Sequence, residues 1–155
     1  MKQSVEIKVV PLQECWVAQV AEIEAVSFSE PWSEQAYREI LDNPNYYYVV
    51  ALLPEARKAV GMCGLLISPF EGEVMNVAVH PDYRGLGIAD RMLQVLLEEG
   101  AAKGITEYTL EVRVSNAPAI RLYERHGFVK EGVRPGFYSK PVEDALIMWR
   151  RQENE

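Results

Sequence analysis

The period of the apolar positions along this 155-residue chain changes several times, and each change marks a predicted element. "SVEIKVV" (4–10) alternates apolar and polar residues, as a half-buried strand does. "CWVAQVAEIEAVSF" (15–28) then places Val17, Val20, Ala21 and Ile23 at helical spacing. "EPWSEQAYREILDNP" (30–44) restarts a helix, with Ser33 suited to its N-cap and Pro44 to its stop. "YYYVVALL" (46–53) and "AVGMCGLLIS" (59–68) are β-rich runs joined by "PEARK", a hairpin pattern. "EVMNVAV" (73–79) is apolar at nearly every position, which predicts a strand buried on both faces.

Beyond two glycines, Gly85 and Gly87, the stripe Met92, Leu93, Leu96 and Leu97 predicts a helix ending near Lys103–Gly104. "EYTLEVRV" (107–114) is the most regular strand, with Tyr108, Leu110, Val112 and Val114 on one face and Glu107, Thr109, Glu111 and Arg113 on the other. Asn116 is placed to cap a short helix that carries Pro118 in its first turn and ends at Gly127. "FVKEGV" (128–133) and "DALIMWR" (144–150) close the chain as strands. Strands alternating with helices in the second half imply an α/β sheet, with a right-handed crossover between the strands near Val77 and Leu110. That pattern does not by itself name a fold.

Composition narrows the choice. With 48% hydrophobic and 25% charged residues, and no repeat or linker, residues 1–155 are expected to form a single domain. No apolar stretch reaches the roughly 20 residues of a membrane helix, and "MKQSVEIKVV" lacks a signal-peptide core, so a cytoplasmic protein is expected. The net charge of −7 argues against nucleic-acid binding and is compatible with cationic substrates such as amines or basic peptides. Cys15 and Cys63 share no metal-ligand spacing with His80 and His126, so no metal is expected.

The glycine turn "HPDYRGLGIAD" (80–90) carries the candidate chemistry. A Walker A loop needs Lys-Ser/Thr after its glycines, and none follows. A Rossmann turn needs a third glycine, and its acidic partner would be Glu111, which sits inside the alternating strand rather than at its end. The remaining choices are a tight turn that holds nothing, or a unit Arg84-x-x-Gly87-x-Ala89 whose amide N–H groups converge on a pyrophosphate at a helix N-terminus.

"V-x-P-x-Y-R-G-x-G-I-A" after a strand, with "LEVRVSNAPAIRLYERHGF" (110–128) downstream, resembles the acetyl-CoA loop and second core half of the GCN5-related N-acetyltransferases, the GNAT superfamily. "SFSEPWSEQAY" (27–37) and "FYSKPVEDALIM" (137–148) resemble the RimI subfamily, which acetylates the N-terminal alanine of a ribosomal protein. The resemblance implies a three-layer α/β fold, a mixed and mostly antiparallel sheet flanked by helices. It implies acetyl-CoA as cosubstrate, held by backbone groups of Val77, Ala78 and Val79, by the loop Arg84, Gly85, Leu86, Gly87, Ile88, Ala89 and Asp90, and by Asn116. Asp90 departs from the basic or small residue usual there, and its carboxylate is expected to serve the helix dipole rather than face diphosphate.

Within the same resemblance Glu111 is the general base and Tyr123 the acid that protonates the departing thiolate. An ordinary glutamate is a weak acceptor for an ammonium proton, so burial or a relaying water has to assist it. Trp32 and Tyr138 are expected to line the acceptor side, although Pro135, Gly136 and Phe137 depart from the subfamily pattern. The implied partner is a ribosomal protein N-terminus, met by a monomer or weak homodimer. Two alternatives stay open: an enzyme acting on small amines or lysine side chains, and a non-catalytic acyl-CoA sensor.

Overall fold

The two β-rich runs pair antiparallel as predicted, β2 (Tyr46–Leu53) with β3 (Lys58–Ser68), and the rest of the sheet grows from them. The computed structural model describes residues 6–151. β1 (Lys8–Pro11) flanks β2, and β4 (Glu71–Val79) flanks β3. β5 (Glu107–Arg113), β7 (Val142–Arg151) and β6 (Val129–Ser139) complete a seven-stranded sheet in the order β1-β2-β3-β4-β5-β7-β6. Every neighbouring pair is antiparallel except β4 with β5, which the crossover through α3 (Ile88–Ala102) makes parallel.

Helices cover both faces. α1 (Val17–Ser27) and α2 (Glu34–Leu41) bury Val17, Val20, Ile23, Tyr37 and Ile40 against Tyr48, Val50 and Met62. On the other face α3 and α4 (Ala117–Arg125) bury Met92, Leu93, Leu96, Ile120 and Tyr123 against Val49, Leu65, Leu110 and Met148. The caps fall where the sequence places them: Ser33 Oγ accepts from the Ala36 N–H at 3.1 Å, and Asn116 Oδ1 from the Ala119 N–H at 3.3 Å.

Several predicted bounds move, most of all that of β6, expected over 128–133 and found over Val129–Ser139. The first strand was expected over 4–10; Ser4 and Val5 lie outside the described residues, and pairing with β2 starts at Lys8, opposite Leu52. Val114 was expected on the buried face of β5. It is 44% exposed, since β5 ends at Arg113 and the chain turns there into the cap of α4.

β4 and β5 pair at only three positions, Glu71↔Glu107, Gly72↔Tyr108 and Glu73↔Thr109. Beyond Glu73, β4 stays with β3, and β5 continues on β7 as far as Arg113↔Ala145. The two central strands therefore part in the middle of the sheet. β4 also carries one more residue than β3 between the pairs Met62↔Ala78 and Gly64↔Met75, a bulge around Asn76 and Val77.

Candidate active site

The parted strands define a cleft, and the turn after β4 closes one end of it. Gly85 and Gly87 both have φ of +79°, a conformation that costs other residues strain, although a side chain there would meet open space. Gly87 is the N-cap of α3 and supplies no side chain to its first-turn N–H groups. Those donors, with the exposed stretch Arg84–Gly87 before them, form an open cradle of the kind that accepts phosphate oxygens. The Arg84 Nε–H is engaged elsewhere, donating to the Val79 carbonyl at 3.0 Å and tying the loop to the strand end.

Asp90 does not face that cradle with a free charge. Arg125 holds both carboxylate oxygens from the end of α4, at 3.2 and 3.0 Å, and His126 Nε2 lies 3.0 Å from Oδ1. The Arg125 hydrogen bonds, followed by that of His126, hold the Asp90 carboxyl below its usual range. His80 is half-buried, its Nδ1 accepting from the Asp82 N–H at 3.1 Å at the start of the same loop.

On the other side of the cleft, Glu111 projects from β5 with 19% of its side chain exposed, and Arg134 Nη2 lies 3.6 Å from Oε1. Glu73, at the point where the strands part, was not singled out from the sequence because an acidic residue at a strand start carries no distinguishing signal. Burial raises its carboxyl pKa, and the negative charge of Glu111 raises it further. Tyr123 packs edge-on to Phe128 at 5.9 Å between centroids, and burial pushes its phenol far up, so that it keeps its proton at any working pH. Tyr138 stands near both: Glu111 adds to the rise that burial gives Tyr138, and Tyr138 adds to the rise in Tyr123.

Tyr138 owes its position to the irregular strand β6. Between Arg134↔Ala145 and Tyr138↔Glu143, β6 has two more residues than β7, and Pro135 and Gly136 (φ +62°) take up the excess. The Arg113 guanidinium stacks over the Tyr138 ring at 4.3 Å and donates to the Pro141 and Lys140 carbonyls at 3.0 and 3.1 Å. The ends of β6 and β5 also meet the α1–α2 loop. Ser139 Oγ donates to Glu30 Oε1 at 2.6 Å, and Arg113 Nη2 to Ser29 Oγ at 3.4 Å. These contacts bridge one rim of the cleft.

Trp32, expected on the acceptor wall, is half-buried on the α1–α2 face, its ring 5.3 Å from Tyr37 and 6.0 Å from Tyr48. Its backbone N–H donates to Glu24 Oε2 at 3.0 Å. Glu24 was missed, yet a signal existed: it follows Val17 by seven and Val20 by four residues, on the apolar stripe of α1. Among the described residues no group of three potential metal ligands forms, and no helix is long and apolar enough to cross a membrane.

The GNAT acetyltransferase family model matches residues 17–128. The N-alpha-acetyltransferase RimI of Mycobacterium tuberculosis is 38% identical over 136 residues, 84% of this chain and 83% of that protein. The [ribosomal protein bS18]-alanine N-acetyltransferase of Escherichia coli K12 is 34% identical over 128 residues, 81% of this chain and 84% of the other. The crystal structure of the E. coli ribosomal-protein-S18-alanine N-acetyltransferase superposes with a TM-score of 0.85 at 28% identity, covering 97% of this chain and 96% of that one.

The Asp90 cluster carries a pH signature. A carboxyl whose native pKa is depressed adds stability above its unfolded value of about 3.9 and loses it as pH falls through the native value. With Asp90 40% exposed, the contribution is at most about 1 kcal/mol. Urea unfolding of Asp90→Asn is expected to show a deficit of that size at pH 7 that disappears as pH falls below the unfolded carboxyl's value and through the lower native one. A deficit independent of pH would assign the loss to packing.

Proposed function

The chain belongs to the GNAT acetyltransferase family, and from that premise we propose that it transfers acetyl from acetyl-CoA to the N-terminal α-amine of a protein. The acceptor is the alanine-started N-terminus of a small-subunit ribosomal protein, as the names of its relatives indicate for them. The enzyme works in the cytoplasm as a monomer or weak homodimer. The non-catalytic reading gives way to the family assignment.

The observation that carries the choice of a chain end is the bridged rim. In this reading, a peptide running through the cleft on both sides of a lysine would be obstructed where the ends of β6 and β5 meet the α1–α2 loop. A terminus entering from the open side would not be. The chemistry agrees, because an α-amine with pKa about 7.7–8.0 offers a neutral fraction near pH 7 that a lysine at about 10.4 does not.

In this reading the family's acetyl-CoA lies along the separated edge of β4. Val77, Ala78 and Val79 meet the pantetheine and thioester through their backbone groups. The N–H groups from Arg84 to Asp90 take the pyrophosphate, and Asn116, exposed at the start of α4, contacts the cofactor further on. The amine nitrogen attacks the thioester carbon directly, and N–H groups of the β4 bulge receive the oxyanion that develops. Glu111, open enough to solvent for one water to stand beside it, takes the ammonium proton through that water. Tyr123 supplies the proton to the leaving thiolate as the C–S bond breaks, and the second proton shed by the nitrogen as it becomes an amide returns to the phenolate, a return that the raised basicity of the buried phenol favours. Trp32 and Tyr138 border the acceptor. No covalent enzyme species forms.

The nearness of Glu73 to Glu111 favours one second reading, a small polyamine whose two cations each meet a carboxylate. Three acceptors separate these readings: a basic peptide with a free N-terminal alanine, the same peptide with that amine blocked and an internal lysine free, and spermidine. Mass spectrometry is expected to find acetyl on the first alone. Acetyl only on the blocked peptide or only on spermidine would reassign the acceptor. Glu111→Gln is expected to lower turnover at neutral pH by about 10²–10⁴-fold with acetyl-CoA affinity kept. Turnover unchanged across pH would remove Glu111 from the proton path.

A further inference from the structure

Glu24 is the one fully buried charged residue among the described residues, 2% exposed between α1 and the sheet. A buried carboxylate is costly unless its oxygens are saturated with donors. These are. The Tyr37 hydroxyl donates to Oε1 at 2.5 Å, the Trp32 N–H to Oε2 at 3.0 Å, and Asn76 Nδ2 lies 3.1 and 3.2 Å from the two oxygens. The other end of the Asn76 amide is held as well, its Oδ1 accepting from the Tyr48 hydroxyl at 2.7 Å. Burial first, and the Glu24 charge second, raise the pKa of both phenols, so both remain donors.

Asn76 is the residue at which β4 bulges, and its φ is +54°. Asparagine tolerates that conformation better than most residues, but it is still strained there without support. The amide is gripped from both sides, by a carboxylate on α1 and a phenol on β2, and the backbone is thereby fixed where it leaves the ladder. The reach of Tyr48 is itself built in. Tyr48 pairs with Gly64 on the intervening strand, and a Cβ at Gly64 would stand 2.2 Å from the tyrosine ring. Only glycine lets the ring lie across β3 to the strand beyond it.

We propose that Glu24, Tyr37 and Tyr48 act through Asn76 as a positioning network, which holds the β4 bulge in the shape that aims its N–H groups at the thioester oxygen. None of the four side chains touches the reacting atoms. Their effect is on the geometry of the oxyanion donors, where a displacement of about 1 Å costs on the order of 10²-fold in rate. The proposal rests on the reading of the bulge as the site of the oxyanion.

The test compares kcat and KM for acetyl-CoA in Tyr48→Phe, Asn76→Gly and the double variant, on whichever amine the unaltered protein acetylates. Rates are referred to the folded fraction measured by circular dichroism. Tyr48→Phe removes one hydroxyl and is expected to lower kcat about 10-fold, with KM for acetyl-CoA within about twofold. Asn76→Gly removes the amide through which Glu24 and Tyr48 act on the bulge, and is expected to lower kcat at least as much, about 10-fold or more, with KM for acetyl-CoA within about twofold. In that background Tyr48→Phe is expected to cost almost nothing further. An equal loss from Tyr48→Phe in both backgrounds, or a fall in melting temperature with kcat unchanged, overturns the proposal. A shift of acceptor from N-terminal amine to lysine or polyamine would leave these ratios intact, so failure of the acceptor assignment is distinguishable from failure of the network.

Discussion

The site depends on the brief companionship of β4 and β5. Three parallel pairs hold them together, and then each follows its other neighbour. Backbone N–H and C=O groups facing the gap lose their sheet partners where they part, in the interior of the fold rather than at an edge. Such groups are rarely left unpaired. In the proposed reading, a chain of amides such as pantetheine would satisfy them by lying along β4 as a substitute strand. Helices cover both faces of the parted strands: α3 and α4 pack Leu96, Ile120 and Tyr123 on one, and α1 and α2 cover the other.

Charge is sorted along the same cleft. The end nearest the glycine turn offers uncompensated helix N–H groups, and the carboxylate in the first turn of α3, Asp90, is tied to Arg125 and His126. The opposite side gathers Glu73 and Glu111, suited to an amine. In the proposed reading, an anionic donor and a cationic acceptor would be drawn to different ends of one opening, and the total charge of −7 suits basic partners. The pairing of Asp90 also explains how an acidic residue is tolerated in the first turn of α3.

Much of this was legible in the sequence, because the strongest signals are local. Alternation in β5 separated Glu111 from Leu110 and Val112, and the caps Ser33 and Asn116 fixed two helix starts. The glycines marked the loop, and the motifs on either side identified the family. What stayed hidden is produced by distant residues meeting. Nothing in "EVMNVAV" announces that Asn76 takes a positive φ, since that depends on Glu24 and Tyr48, 52 and 28 residues away. The role of Pro135 and Gly136 was likewise unreadable: they look like a departure from a pattern, and they act as a two-residue excess that turns Tyr138 toward Arg113. The packing of the Trp32 ring against Tyr37 and Tyr48 was equally unreadable from its position in the motif.

The most direct measurement is a crystal structure with CoA joined through an acetyl bridge to an alanine-started peptide. The account predicts the pantetheine alongside β4, the acetyl oxygen about 3 Å from a bulge N–H, the pyrophosphate on the turn from Arg84 to Asp90, and the alanine nitrogen within one water of Glu111. A CoA moiety bound away from the parted strands, or a peptide entering from the side that Ser139 and Glu30 bridge, would contradict it.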